Sequence, residues 1–219
     1  MSLENHLIVF ARTPRLGSAM RRLAADIGGA AAMRFYRANL NRMARTLGPG
    51  RRWSCALAVS PDRDAVAGYR WPANLARIPQ GRGNLGDRMA RAVTGAPPGP
   101  VVIIGADIPE ITPSHIARAF RALGKADAVF GPSPDGGYWL VGLKRRPRTL
   151  DIFDRVRWSS PHALDDTVRN LGPDTRIADL ETLADIDPGG DYRAWRRGAN
   201  KKKPAAGTGG GLYLRNSGF

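Results

Sequence analysis

The 219-residue chain has one cysteine, three histidines, five lysines, few acids and no apolar run longer than a strand. With Cys55 alone, no intramolecular disulfide can form, and its setting in "SCALAVS" predicts a buried, unreactive thiol. The longest apolar runs, "HLIVFA" and "PVVIIGA", fall far short of the roughly 20 residues that cross a bilayer. The first of them also lacks a basic leader and a small-residue cleavage site, so the expectation is an unexported, cytoplasmic protein without a membrane span. His6, His115 and His162 stand apart, none with a partner at metal-ligand spacing, and no Gly-x-Ser-x-Gly elbow is present, so Ser-His-Asp hydrolysis is unsupported.

The shortage of acid is the most consequential. Nineteen Asp and Glu face 34 Lys and Arg, giving a formal charge of +15, which suits a phosphorylated or otherwise anionic partner. Arginines are scattered through every segment rather than gathered on one face with stacking aromatics. That pattern argues against general nucleic-acid binding.

At 42% hydrophobic with five Trp, the chain can bury a substantial core. "HLIVFAR" reads as a strand, then a loop through Thr13-Pro14 and Gly17 leads to the helical spacing of "AAAMRFYRANLNRMARTLG". Its stripe of Met33, Tyr36, Leu40 and Met43 reads as core. "SCALAVS" and "LARIPQ" follow as strands, "NLGDRMARAV" as a helix, "VVIIGAD" as a fully buried strand and "TPSHIARAFRALG" as a helix capped by Thr112. "DAVFGPS" and "YWLVGL" read as two strands, "SSPHALDDTVRNLG" as a helix opened by a Ser cap and Pro, and "TRIADL" as a last strand.

This alternation predicts an α/β domain over residues 1–195 with a doubly wound, mostly parallel sheet. Residues 196–219, basic and Gly-rich, read as a flexible tail that cannot repay its ordering entropy by burial. In such a sheet, ligands sit at the carboxyl ends of strands, so the loops that follow strands are the candidates for chemistry.

Four such loops stand out. "ARTPRLGSAMRRLA" places Arg12, Arg15, Arg21 and Arg22 around Gly17 before a helix, where backbone N–H groups and guanidinium forks suit phosphates. "PQGRGNLGDRMARA" offers Gln80, Gly81 and Gly83, a composition that lets backbone approach a ligand, although a tight turn and helix cap account for it equally well. "IIGADIPEI" puts Asp107 at the end of the most apolar strand, a place for a divalent cation, magnesium or manganese, held jointly with substrate phosphates. "GPSPDGGYWLVGL" predicts a hairpin whose turn needs glycine, and that turn displays Asp135. Asp185, Asp187 and Asp191 in "DIDPGGD" either reach the same pocket or cap the last helix.

Taken in order, "QGRGNLGDRMARA", "GADIPEI", "SPDGGYWLVGL" and "RWSSPHALDDTVRNL" resemble a bacterial family known as domain of unknown function 2064, some of whose members are labelled arsenosugar-biosynthesis glycosyltransferases. The resemblance spans roughly Leu7 to Trp195. It implies the three-layer α/β/α, Rossmann-like GT-A fold of the nucleotide-diphospho-sugar transferases. It further implies nucleotide phosphates on the first loop, a metal on Asp107 with Asp187 as the late aspartate, and Asp135 at the acceptor side, flanked by Gly136, Gly137 and Tyr138; the catalytic role expected of Asp135 there is to activate or orient the acceptor hydroxyl as a general base.

One departure is visible: the family's Gly-Lys-x-Lys-Thr-Arg-Leu reads "GSAMRRL" here, with Ser18 and Met20 in place of both lysines. The expected activity is a metal-dependent transferase that uses a nucleotide-activated sugar and a small-molecule acceptor. A nucleotidyltransferase releasing pyrophosphate and a noncatalytic nucleotide- or sugar-binding protein are the alternatives.

Overall fold

The computed structural model describes residues 3–48, 52–146, 149–184 and 213–216. The chain runs β1 (His6–Arg12), α1 (Arg21–Ile27), α2 (Gly29–Leu47), β2 (Ser54–Ser60), α3 (Arg63–Val66), β3 (Ala76–Pro79), α4 (Leu85–Gly95) and β4 (Val101–Gly105). It continues with α5 (Pro113–Ala122), β5 (Ala128–Pro132), β6 (Tyr138–Leu143), α6 (Ala163–Arg169), β7 (Arg176–Asp179) and β8 (Tyr213–Asn216).

The described strands form one sheet in the order β3-β2-β1-β4-β6-β5-β7-β8. Only β6 and β8 run against the others, so the sheet is mostly parallel, as the alternation of elements predicts. β8 pairs antiparallel with β7, placing four residues of the tract read as a flexible tail on the edge of the sheet.

β1 shows why its sequence is continuously apolar rather than alternating. Leu7, Val9 and Ala11 enter the core on one face with Leu40 and Met43 of α2 and Ile116 of α5, while Ile8 enters the core on the other with Met89 of α4 and Val168 of α6. A strand covered on both faces has no polar side to present. The stripe on α2 is core as expected. Cys55 is half-buried, and burial pushes its thiol up to about 12, in keeping with an inert side chain.

The chain winds outward from β1 through β2 to β3, then returns under the sheet to β4 and proceeds to the opposite edge. The connections leaving β1 and β4 therefore diverge, which opens a crevice above their carboxyl ends.

Helix ends follow the sequence with one exception. Thr112 caps α5 in a capping box completed by His115, whose Nδ1 accepts the Thr112 N–H at 3.2 Å. α6 instead begins at Ala163, with His162 at its cap position. The expected Ser cap fails because Ser160 is engaged in the preceding turn, its hydroxyl 2.6 Å from the Arg157 carbonyl and accepting the His162 N–H at 3.2 Å.

The α5 cap makes a pH prediction. With Nδ1 accepting, His115 is neutral, and Nε2–H donates to Glu181 at 2.9 Å. Burial, then the nearby Arg118 guanidinium, pushes its pKa down to about 4, against the pull of Glu110. The unfolded chain takes up this proton near pH 6.5, before the folded chain does. The stabilisation is therefore complete above pH 6.5 and is lost as pH falls from 6.5 to 4; at about 1.4 kcal/mol per pH unit that is about 3 kcal/mol, which solvent screening of this half-buried ring reduces to about 1–2 kcal/mol. Denaturant unfolding across that window should show this slope, and His115→Gln, which keeps a capping-box acceptor, should remove it.

Candidate functional site

At the carboxyl ends of β1 and β4 lies an open cleft of about 630 Å³. Arg12 at the end of β1 and Arg21 and Arg22 at the start of α1, on either side of the first loop, line it, with Gln80, Asp107, Asp135, Gly137 and Tyr138. Arg15, Gly17, Gly81, Gly83 and Gly136 do not line it, and Asp187 lies outside the described residues.

The first loop is held from below. Asp64, buried on α3, accepts the Thr13 hydroxyl at 2.7 Å and Arg15 Nη2 at 2.9 Å, and Arg15 also donates to the Gly68 carbonyl at 3.0 Å. Arg15 is thus a strut that ties the loop to α3 and turns away from the cleft. Ser18, at one lost lysine position, accepts the Arg15 N–H at 3.1 Å and its hydroxyl reaches the loop carbonyls of Thr13 and Arg15. Met20, at the other, adopts a left-handed conformation (φ 52°) as it starts α1 and faces the cleft. An L-residue with a long side chain holds that conformation at a cost of about 1–2 kcal/mol, a strain concentrated at the cleft wall.

Asp107 emerges after β4, and its carboxylate folds back over Gly105, where an added Cβ would lie 2.5 Å from Oδ1. Glycine at 105 is needed for this approach. The adjoining peptide is held by α2: Asn39 Nδ2 donates to the Ala106 carbonyl at 2.8 Å. Arg42 in turn donates to Asn39 Oδ1 through Nε (3.1 Å) and Nη2 (2.9 Å), and through Nη1 to the Ile111 carbonyl at 2.8 Å. One turn earlier, the Tyr36 hydroxyl accepts the Arg12 N–H at 2.9 Å. Burial raises the Tyr36 pKa, a direction that the Asp107 charge reinforces, so this phenol stays protonated.

In the second loop, the tight-turn reading accounts for both glycines. Gly81 and Gly83 adopt φ 81° and 99°, and Asn84 forms a reciprocal capping box with Asp87 at the start of α4. Gln80 alone of the three faces the cleft, its amide donating to the Ala58 carbonyl at 2.8 Å across the strand ends.

The "PDGG" turn is a hairpin turn, as expected: β5 and β6 pair antiparallel on either side of it. Asp135 Oδ1 accepts the Gly137 N–H at 3.0 Å, which holds the carboxylate at the rim, and Gly136 takes φ 81°. The turn docks on the first turn of α6, where Leu164 N–H donates to the Gly136 carbonyl at 3.0 Å. Tyr138 stands beside it, packed edge-on against Phe130 and Trp158, and burial raises its pKa. A hairpin turn and a site rim are the same structure here, since Asp135 and Asp107 line one cleft.

Sequence reading missed Tyr36, Asn39, Arg88 and Trp158. Tyr36, Arg88 and Trp158 line the cleft, and Asn39 supports it. Only Asn39 carried a signal, since an amide within a stripe of Tyr36, Leu40 and Met43 must be buried and so must have partners.

Among the described residues, no three His, Cys, Asp or Glu side chains form a metal cluster. The Asp107 carboxylate is the kind of oxygen donor that a hard cation takes alongside phosphate and water. No helix in the described residues is long and apolar enough to cross a membrane.

Comparison with solved structures places this architecture among transferases. A protein of Desulfovibrio desulfuricans G20, provisionally assigned as a nucleotide-diphospho-sugar transferase, shares 26% identity over 93% of this chain and 90% of its own, with a TM-score of 0.81. Rv0371c of Mycobacterium tuberculosis H37Rv, solved with manganese, aligns at TM-score 0.53 and 16% identity over 89% of this chain and 98% of its own. The 4-diphosphocytidyl-2C-methyl-D-erythritol synthase of Anaerococcus prevotii DSM 20548 aligns at 0.54 and 12% over 91% and 96%. No curated protein matches the sequence. The fold is that of the nucleotide-diphospho-sugar transferases. Residues 43–160 match the family described as uncharacterised proteins conserved in bacteria, and the chain belongs to that family, domain of unknown function 2064.

Proposed function

We propose that this chain is a metal-assisted transferase acting on a nucleotide-activated sugar, with chemistry at the carboxyl ends of β1 and β4. The observation that carries the reading is the convergence of Arg12, Arg21 and Arg22 with Asp107 and Asp135 on one cleft at the point where the sheet reverses its winding. Guanidinium forks at the first loop suit a diphosphate in geometry and charge. Asp107, and Asp187 by the family resemblance, would hold magnesium or manganese against that diphosphate. When bound, such an ion neutralises the leaving group and orients it.

Asp135, held by the Gly137 N–H, is placed to accept a proton from an acceptor hydroxyl or to orient it. Gly136, Gly137 and Tyr138 shape that acceptor side, and Gln80 closes the nucleotide end. A cytoplasmic location belongs to the same reading.

Nucleotidyl transfer is the second reading, favoured by the likeness of the fold to a nucleotidyl transferase of Methanothermobacter. The arginines and Asp107 serve either reaction. Products separate them, since glycosyl transfer releases a nucleoside diphosphate and nucleotidyl transfer releases pyrophosphate. A noncatalytic binding protein, in keeping with Ser18 and Met20 at the lysine positions, remains the third.

A thermal-shift panel of nucleoside diphosphates, triphosphates and nucleotide sugars, with and without manganese, tests the reading. A ligand at 100 times its Kd adds about 2.7 kcal/mol, which in a chain of this size raises the Tm by roughly 5–10 °C. A rise of that size for one base, enlarged by manganese, is the expected result. A cooperatively melting protein that responds to no nucleotide would overturn it.

A further inference from the structure

We infer that Asn39, on α2, is a positioning residue for Asp107, and that α2 sets the spacing between the phosphate loop and the metal carboxylate. The inference rests on the transferase reading and adds to it a part that lies outside the cleft.

α2 touches both loops with adjacent turns of one face. Tyr36 receives the Arg12 N–H of the β1 loop, and Asn39 donates to the Ala106 carbonyl, the peptide immediately before Asp107. Asn39 is 4% exposed, so its amide has no water to exchange for that carbonyl. Its oxygen is held by two N–H groups of Arg42, which fixes which end of the amide faces Ala106. Arg42 also holds the Ile111 carbonyl, beyond Asp107 in the chain. The four residues between Ala106 and Ile111 are thus pinned at both ends to a single rigid helix. Packing alone needs none of this: an apolar residue at position 39 would continue the stripe of Tyr36, Leu40 and Met43. Groups that orient a metal-binding side chain from behind change metal affinity by roughly 10–100-fold when removed.

The test uses Asn39→Asp, which keeps the size and both Arg42 contacts but sets a carboxylate oxygen against the Ala106 carbonyl. Asn39→Ala serves as a second variant that removes the group without repulsion. The probe is inorganic pyrophosphate, the charge shared by every donor of the class, with manganese titrated in and the melting temperature read. In both variants the manganese concentration giving half of the metal-dependent rise should increase roughly 10–100-fold, while the metal-free shift from pyrophosphate is retained. An unchanged half-point in a cooperatively melting variant would overturn the positioning role. So would parallel loss of the metal-free and metal-dependent shifts, since that is what a purely structural residue gives. Failure of the wild-type protein to respond to manganese with pyrophosphate or any nucleotide would instead bring down the transferase reading, and this inference with it.

Discussion

Asp107→Asn is expected to lower turnover by roughly 10³-fold with little change in the melting temperature of the unliganded protein. Asn matches the carboxylate in size, so the packing over Gly105 and the Asn39–Ala106 contact survive. What is lost is the negative charge, and with it the attraction for a divalent cation beside the diphosphate. The measurement is release of nucleoside diphosphate or pyrophosphate from whichever donor stabilises the wild-type protein, read with manganese at saturation. The metal-dependent part of the thermal shift should vanish with it, because both draw on one charge. Asp135→Asn should separate the two readouts, retaining metal-dependent binding while kcat falls by about 10²–10⁴. Full turnover in Asp107→Asn would remove the metal role from this carboxylate.

Gly136→Val is expected to cost about 2–4 kcal/mol and to abolish ligand response even below the lowered melting point. Two penalties combine. A β-branched residue at φ 81° bears strain of about 1–3 kcal/mol, and its Cβ would run into the Pro161 backbone carbonyl, which no side-chain rotation relieves. The hairpin turn must then lift away from the approach to α6, breaking the Leu164 N–H contact and carrying Asp135 and Tyr138 with it. At this chain length the loss corresponds to a fall in Tm of roughly 5–15 °C.

Gly137→Ala, one residue along, should be far milder. The atoms nearest its added Cβ would be those of the Asp135 carboxylate, at 3.1 Å, and that side chain can rotate. Equal effects of the two substitutions would mean that the turn does not dock on α6 as the structure shows.

Much of this molecule is legible along the chain because its signals are local. The glycine in the hairpin turn follows from the backbone angles a tight turn requires, and the Thr112 cap from the unpaired N–H groups at the start of a helix. Apolar runs in β1 and β4 mark strands buried on both faces, and the alternation of strand and helix then leads to a mostly parallel sheet and to a site at its carboxyl ends. Arg12, Arg21, Arg22, Asp107 and Asp135 were found by that route: Arg12 ends β1, Arg21 and Arg22 open the helix after it, and the two aspartates lie in turns that follow strands.

The structure decided what those loops do with their charges. Arg15 and Arg12 are indistinguishable in sequence, yet Arg15 is held by Asp64, 49 residues away, and leaves the cleft. Asn39 supports Asp107 through a carbonyl 67 residues away. Arg88 and Trp158 reach the cleft from the start of α4 and the approach to α6, segments that propensity describes only as a helix and a turn. Propensity, capping and periodicity act over a few residues, so a sequence states them directly. The partner of a buried charge or amide is whichever group the packing of distant elements brings within about 3 Å, and that is settled only when the sheet has closed and its helices have docked.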